Sequence, residues 1–164
     1  MQAHRIEVLQ RMPIFGAIRE DVLQFLLEQT RSVAVRAQEF FFHEGDQANA
    51  MFVLEGGRAS VLKAWKGQEL VLNHLEPGDC FGEMALMDLL PRSASVKALE
   101  DCNALELRPD NLYRLFERDV EQFALIQMNM GREVCRRLRA ADGLLFRAVM
   151  GVAPEAADKL FHST

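Results

Sequence analysis

A carboxylate and a guanidinium, Glu83 and Arg92, lie within the stretch Phe81–Val96, which reads FGEMALMDLLPRSASV. An ionised carboxylate only accepts hydrogen bonds, so Glu83 suits a hydroxyl donor. Arg92 is a planar, permanently charged fork that suits phosphate oxygens. Gly82 carries no side chain, so its backbone can approach a ligand closely. The run from Glu83 predicts a short helix that ends at Pro91-Arg92, leaving N–H groups and a positive dipole end near Gly82–Met84. Taken singly, Glu83 at a helix start complements a dipole and Arg92 after a proline is a surface charge. Together they describe a seat for a small ligand carrying both a hydroxyl and a phosphate.

The elements that must hold this seat follow from periodicity. Residues 1–31 read as helical, with Ile6, Leu9, Val22, Leu23, Phe25, Leu26 and Leu27 at near-helical spacing, breaks at Pro13 and Gly16, and a second helix starting at Arg19-Glu20-Asp21. Residues 32–108 change to short strands and turns. Phe40-Phe41-Phe42 is a buried-strand candidate followed by a turn at Gly45, and MFVLE and RASVLKA flank Gly56-Gly57 as a two-residue hairpin. A second turn at Trp65-Lys66-Gly67 leads into QELVLNHL, Pro77-Gly78-Asp79 precedes the seat, and ASVKAL and NALEL alternate like half-buried strands. No alternation of strand and helix points to a parallel nucleotide-binding sheet.

Helices resume at Pro109, with Leu112, Leu115 and Phe116 as the apolar face, and a long helix runs from about Val120 to Val149. Along it Met128, Gly131, Cys135, Leu138, Asp142, Leu145 and Val149 alternate steps of three and four, an apolar seam broken at Asp142. A second face carries Phe123, Ile126, Met130, Val134 and Ala141. Two apolar faces need two surfaces to pack on, so the expectation is that the roll takes one and a second copy of the chain takes the other, through residues 128–149.

Composition narrows the classes. The chain has 164 residues and a formal net charge of −5, one domain by length and not a general binder of nucleic-acid backbone. Cys80, Cys102 and Cys135 are odd in number and far apart with no CxxC pair, which argues against a disulfide framework and a structural zinc site. Neither a signal-peptide core nor a membrane-length apolar run is present, so the expectation is a cytoplasmic protein with no membrane partner. His4, His43, His74 and His162 are scattered without metal-ligand spacing, and no GxSxG nucleophile motif occurs, so no metal and no catalytic residue is expected. Arg132, Arg136, Arg137 and Arg139 read as a solvated basic face.

The stretch Phe81–Val96 resembles the phosphate-binding cassette of the cyclic nucleotide-binding domain family, written FGE-(L/I)-A-L…PR-x-A-x-V. MPIFGAIREDVLQFLLEQ resembles that family's N-terminal helices, and the glycines at 45, 56–57, 78 and 82 resemble the turn glycines of its β-roll. The resemblance covers residues 1–150: helices 1–31, roll 32–108 and C-terminal helices 109–150, with 151–164 as a short tail. It implies an α+β fold, an antiparallel jelly-roll-like β-roll of about eight strands with flanking N-terminal helices, a short cassette helix and a long C-terminal helix. It resembles the sensory domain of the catabolite activator and of protein kinase A regulatory subunits, standing alone without a DNA-binding domain.

By that resemblance Glu83 meets the ribose 2′-hydroxyl and Arg92 the cyclic phosphate. Phe81, Gly82, Met84 and Ala85 shape the backbone cradle, and Ser93 and Ala94 add contacts. The catabolite activator reads adenine with a Thr-Ser pair on its C-terminal helix. Ala141-Asp142 stand there in this chain, so Asp142 is the candidate for base contact. A carboxylate accepts one hydrogen bond from the adenine 6-amino group or two from guanine. The implied function is a non-catalytic sensor of cAMP that signals to an unnamed partner protein by movement of the C-terminal helix. The alternatives are a cGMP-preferring sensor of the same fold, and an interaction or redox module that binds no cyclic nucleotide.

Overall fold

A computed structural model describes residues 2–151 of the chain. In order, the elements are α1 (Gln2–Gln10), a 3-10 turn (Pro13–Phe15), α2 (Glu20–Gln29), β1 (Arg31–Val35), β2 (Phe40–Phe42), β3 (Met51–Gly56), β4 (Ala59–Trp65), β5 (Gln68–Leu75) and β6 (Cys80–Phe81). Then come α3 (Met84–Asp88), β7 (Ser95–Ala98), β8 (Cys102–Leu107), α4 (Pro109–Arg118) and α5 (Val120–Met150). The strands form two four-stranded sheets in the orders β1-β8-β3-β6 and β2-β7-β4-β5, with every paired neighbour antiparallel. This is the α+β roll with flanking helices that the sequence predicts. The chain divides into two compact units, residues 1–130 and 131–164. Residues 152–164, nearly all of the expected tail, lie outside the described residues.

In the first unit the alternation of a strand, with successive side chains on opposite faces, explains the apolar run of β3. Met51 and Val53 join Leu105 and Leu107 of β8 in a core with Ile6, Leu9, Phe15, Val22, Leu23 and Leu26 of the N-terminal segment. Phe52 and Leu54 face the other way, into a core between the sheets with Val35, Leu75, Phe81, Val96 and Ala98. The first three turns of α5 belong to the helical core through Phe123, Ile126 and Met130. They are also pinned by polar side chains. Asn129 Nδ2 donates to the carbonyls of Ile14 (3.1 Å) and Gly16 (2.9 Å), and Gln122 Oε1 accepts from the Arg19 N–H at 2.8 Å.

Four local expectations change. Gly56-Gly57 closes no hairpin, because β3 and β4 lie in different sheets. Gly57 takes φ +81° where the chain crosses between them, and a Cβ there would stand 2.5 Å from the Asp101 carbonyl. The cassette helix ends at Asp88, ahead of Pro91, because Leu89 turns left-handed at φ 58°. Phe40–Phe42 is a strand, but half-buried. Phe116 is exposed while Leu112 and Leu115 are buried. The hairpin at Lys66-Gly67 does form, with φ of 49° and 78°, the left-handed pair that a two-residue turn between twisted strands requires.

In the second unit α5 continues from Gly131 to Met150. Leu138, Leu145 and Val149 of the predicted seam are exposed, as is Met128 at the end of the first unit.

Candidate functional site

The site begins where β6 pairs with β3, Phe81 opposite Phe52. Phe81 is buried among aromatic rings: it stacks on Phe52 at 5.4 Å between centroids and meets the edge of Phe41 at 5.0 Å. The chain then turns sharply at Gly82, φ +78°. Glu83 stands at the N-cap position of α3, without a side-chain capping bond, and is 2% exposed. Met84 and Ala85 form the helix's first positions, with the Met84 side chain exposed.

Arg92 returns beneath this turn and is only 4% exposed. Its Nη1 donates to the Gly82 carbonyl at 2.9 Å and its Nη2 to the Ala50 carbonyl at 2.5 Å. Its guanidinium carbon lies 4.0 Å from the centre of the Phe42 ring, a cation–π contact. Burial pushes the Arg92 guanidinium below its ordinary pKa, and the Asp46 and Glu83 carboxylates pull it back up. Its Nε is buried without a hydrogen-bond partner. A buried charged donor without a partner is costly.

The backbone around Arg92 is tied to the turn after β2. Gly45 N–H donates to the Arg92 carbonyl and Arg92 N–H to the Asp46 carbonyl, both at 2.9 Å. Glu44 N–H donates to Ser95 Oγ at 2.8 Å. Ser93 is exposed and Ala94 is buried. Gly82 has a second reason to be glycine, since a Cβ there would stand 2.5 Å from Arg92 Nη1 and 3.4 Å from the Phe42 ring.

Phe81, Gly82, Glu83, Met84, Ala85, Arg92, Ser93 and Ala94 therefore fall along one turn–helix–return in the first unit. Asp142 belongs to the second unit, on an exposed position of α5. Sequence reasoning missed the residues that hold Arg92 in place: Phe42, Asp46 and Ala50. The only signal for them was the phenylalanine triplet beside the HEGD turn, which marks a strand without saying what packs on it. Among the described residues, no three His, Cys, Asp or Glu side chains gather as a metal site.

Comparison with known proteins supplies the context. A family model described as "Cyclic nucleotide-binding domain" matches residues 32–119. The chain is similar to the cyclic AMP receptor protein of Thermus thermophilus, 30% identical over 131 residues that cover 79% of this chain and 59% of the relative. It is similar to a cAMP-dependent protein kinase regulatory subunit of Emericella nidulans, 30% identical over 107 residues, 65% of this chain and 26% of that one. It thus spans only part of these relatives. Among solved structures, the catabolite activator protein of Thermus thermophilus matches with a TM-score of 0.73 at 30% identity, covering 84% of this chain and 63% of that one. The regulatory domain of Toxoplasma gondii protein kinase A crystallised with cAMP matches with a TM-score of 0.63 at 26% identity, covering 69% and 43%. A cyclic nucleotide-binding domain from Methylobacillus flagellatus, at 20% identity and a TM-score of 0.78, shares the fold over 93% of this chain and 84% of its own.

Proposed function

The chain belongs to the cyclic nucleotide-binding domain family, and from that premise we propose that residues 1–150 form a non-catalytic sensor that binds cAMP through Phe81–Val96. The observation that carries the reading is Arg92, a buried guanidinium with an unpartnered Nε beside the side-chain-free backbone of Gly82. Two of the five guanidinium N–H donors go to carbonyls. The rest of the fork is suited to the single negative charge of a cyclic phosphate. The buried Glu83 carboxylate is the acceptor for the ribose 2′-hydroxyl. Gly82, Met84 and Ala85 offer backbone N–H groups, Ser93 and Ala94 line the phosphate side, and Phe81 anchors the turn in the aromatic cluster.

Asp142 supplies base contact in this reading. Its single adenine contact and its double guanine contact make cGMP the second reading, and the cAMP named for three of the relatives puts adenine first. Binding moves the C-terminal helix, and the change passes to a partner protein. The exposed seam of Met128, Leu138, Leu145 and Val149 supports a homodimer through residues 128–149. No helix among the described residues is long and apolar enough to cross a membrane, and the proposed setting is the cytoplasm, without direct nucleic-acid contact.

Calorimetric titration with cAMP, cGMP and a cyclic dinucleotide tests the reading. Arg92→Ala is expected to weaken cyclic nucleotide binding at least about tenfold, because a charged hydrogen bond is worth roughly 1.5–3 kcal/mol. Unchanged affinity in that variant refutes the site. Equal hydrogen-exchange protection of residues 120–149 with and without ligand refutes the helix movement.

A further inference from the structure

Lys63 is a residue of β4 that no cassette motif includes, yet its ammonium reaches the cassette. Its Nζ donates to the Ser93 carbonyl at 2.9 Å and pairs with the Glu44 carboxylate at 3.0 Å. Glu44 in turn donates its N–H to Ser95 Oγ, and the two residues that follow it, Gly45 and Asp46, hold the Arg92 backbone. The cassette's return is thus gripped from both sides: by the turn after β2 through Arg92 and Ser95, and by β4 through Ser93. The Lys63 ammonium holds the Glu44 carboxyl below its usual range.

The bond to Ser93 has a chemical effect as well as a geometric one. The Ser93 carbonyl and the Ala94 N–H belong to one peptide unit. A cation on the oxygen draws density through the amide and makes the N–H a stronger donor, the same polarisation that strengthens chained hydrogen bonds. We infer that Lys63 is a positioning residue of the phosphate seat, which sets the Ser93–Ala94 peptide and strengthens its N–H toward one exocyclic oxygen of the cyclic phosphate. The inference rests on the cyclic nucleotide reading of this site. It assigns the phosphate a second positive influence that acts without touching the ligand, from a strand outside the cassette.

The test uses cAMP and its Sp and Rp phosphorothioate diastereomers, which place sulfur on one or the other exocyclic oxygen. Binding is measured calorimetrically to the full chain, to Lys63→Met and to Lys63→Arg. Lys63→Met is expected to weaken cAMP about fivefold, the scale of one partly exposed charged contact. It is also expected to change the ratio of Sp to Rp affinities, because only one exocyclic oxygen faces the altered peptide. Lys63→Arg keeps the cation and is expected to restore both. Lys63 is half-exposed, so the ligand-free melting midpoint of Lys63→Met should stay near that of the wild type. Wild-type affinity and an unchanged diastereomer ratio in Lys63→Met overturn the inference. So does an equal loss for both diastereomers with a lowered midpoint, which marks a purely structural role. A wild-type chain that binds no cyclic nucleotide fails at the earlier step and removes the site reading itself.

Discussion

Gly82→Ala separates the two reasons for glycine at the heart of the site. Its φ of +78° strains any residue with a Cβ, at a cost of about 1–2 kcal/mol. Gly67 has the same φ of +78° in the β4–β5 turn, and a Cβ added there would meet nothing within 4 Å. Gly67→Ala therefore carries the strain alone. At Gly82 the added methyl would also sit 2.5 Å from Arg92 Nη1. A guanidinium on a free side chain would swing away cheaply, but this one is held by two carbonyls and the Phe42 face. Moving it gives up at least one charged hydrogen bond, roughly 1.5–3 kcal/mol. The expected outcome is that both variants lose about 1–2 kcal/mol in urea denaturation through strain, with Gly82→Ala losing more. In calorimetry Gly67→Ala should bind cAMP like the wild type, and Gly82→Ala at least about tenfold more weakly. Equal affinities in the two variants would show that the Arg92 fork does not depend on Gly82, and would refute the site as built on that pair.

Asn129→Ala strips the carbonyls of Ile14 and Gly16 of their shared donor and should destabilise the first unit by about 1–3 kcal/mol in urea titration, the cost of leaving buried acceptors unpaired. Asp119→Asn tests charge at the start of α5. The Gln122 N–H and then Arg19 hold the Asp119 carboxyl below its usual range, and a depressed acid stabilises the fold above its unfolded pKa and loses that contribution as pH falls. Asparagine keeps the capping acceptor without the charge, so the gap in melting midpoint between wild type and variant should be widest near neutrality. It should begin to narrow near about pH 4, the ordinary carboxylate range, and close below the depressed folded value.

What could be read in the sequence, and what could not, divides by the distance over which residues meet. Gly82, Glu83 and Arg92 share one turn and its return, so their spacing already encodes their proximity. The turn at Lys66-Gly67 was legible for the same reason, since both of its strands pair directly across it. Gly56-Gly57 looks identical in one dimension, but β3 finds its partners in β6 and β8, distant along the chain. The glycine at 57 answers to Cys102 and Asp101, which no local pattern names. The same holds for the supports of Arg92. Phe42 and Lys63 reach it or its neighbour Ser93 only after β2 and β4 have paired with β7, and Ala50 reaches it from the approach to β3 in the other sheet. Hydrophobic period predicted that those strands exist, and pairing order, which period does not carry, decided what they support.

The division of the chain also bears on how a sensor built this way has to work. Glu83, Arg92 and the backbone of Gly82 all lie in the first unit, with the first three turns of α5 pinned there by Asn129 and Gln122. Contacts made wholly within that unit hold the ligand equally well wherever residues 131–150 stand, and a ligand with equal affinity for two states shifts neither. In the proposed mechanism the phosphate and ribose contacts therefore give affinity, and by themselves no signal. Moving a helix from mostly one position to mostly the other requires about 5.5 kcal/mol of differential binding. In the proposed mechanism that difference has to come from residues 131–150, where Asp142, the residue proposed to read the base, lies.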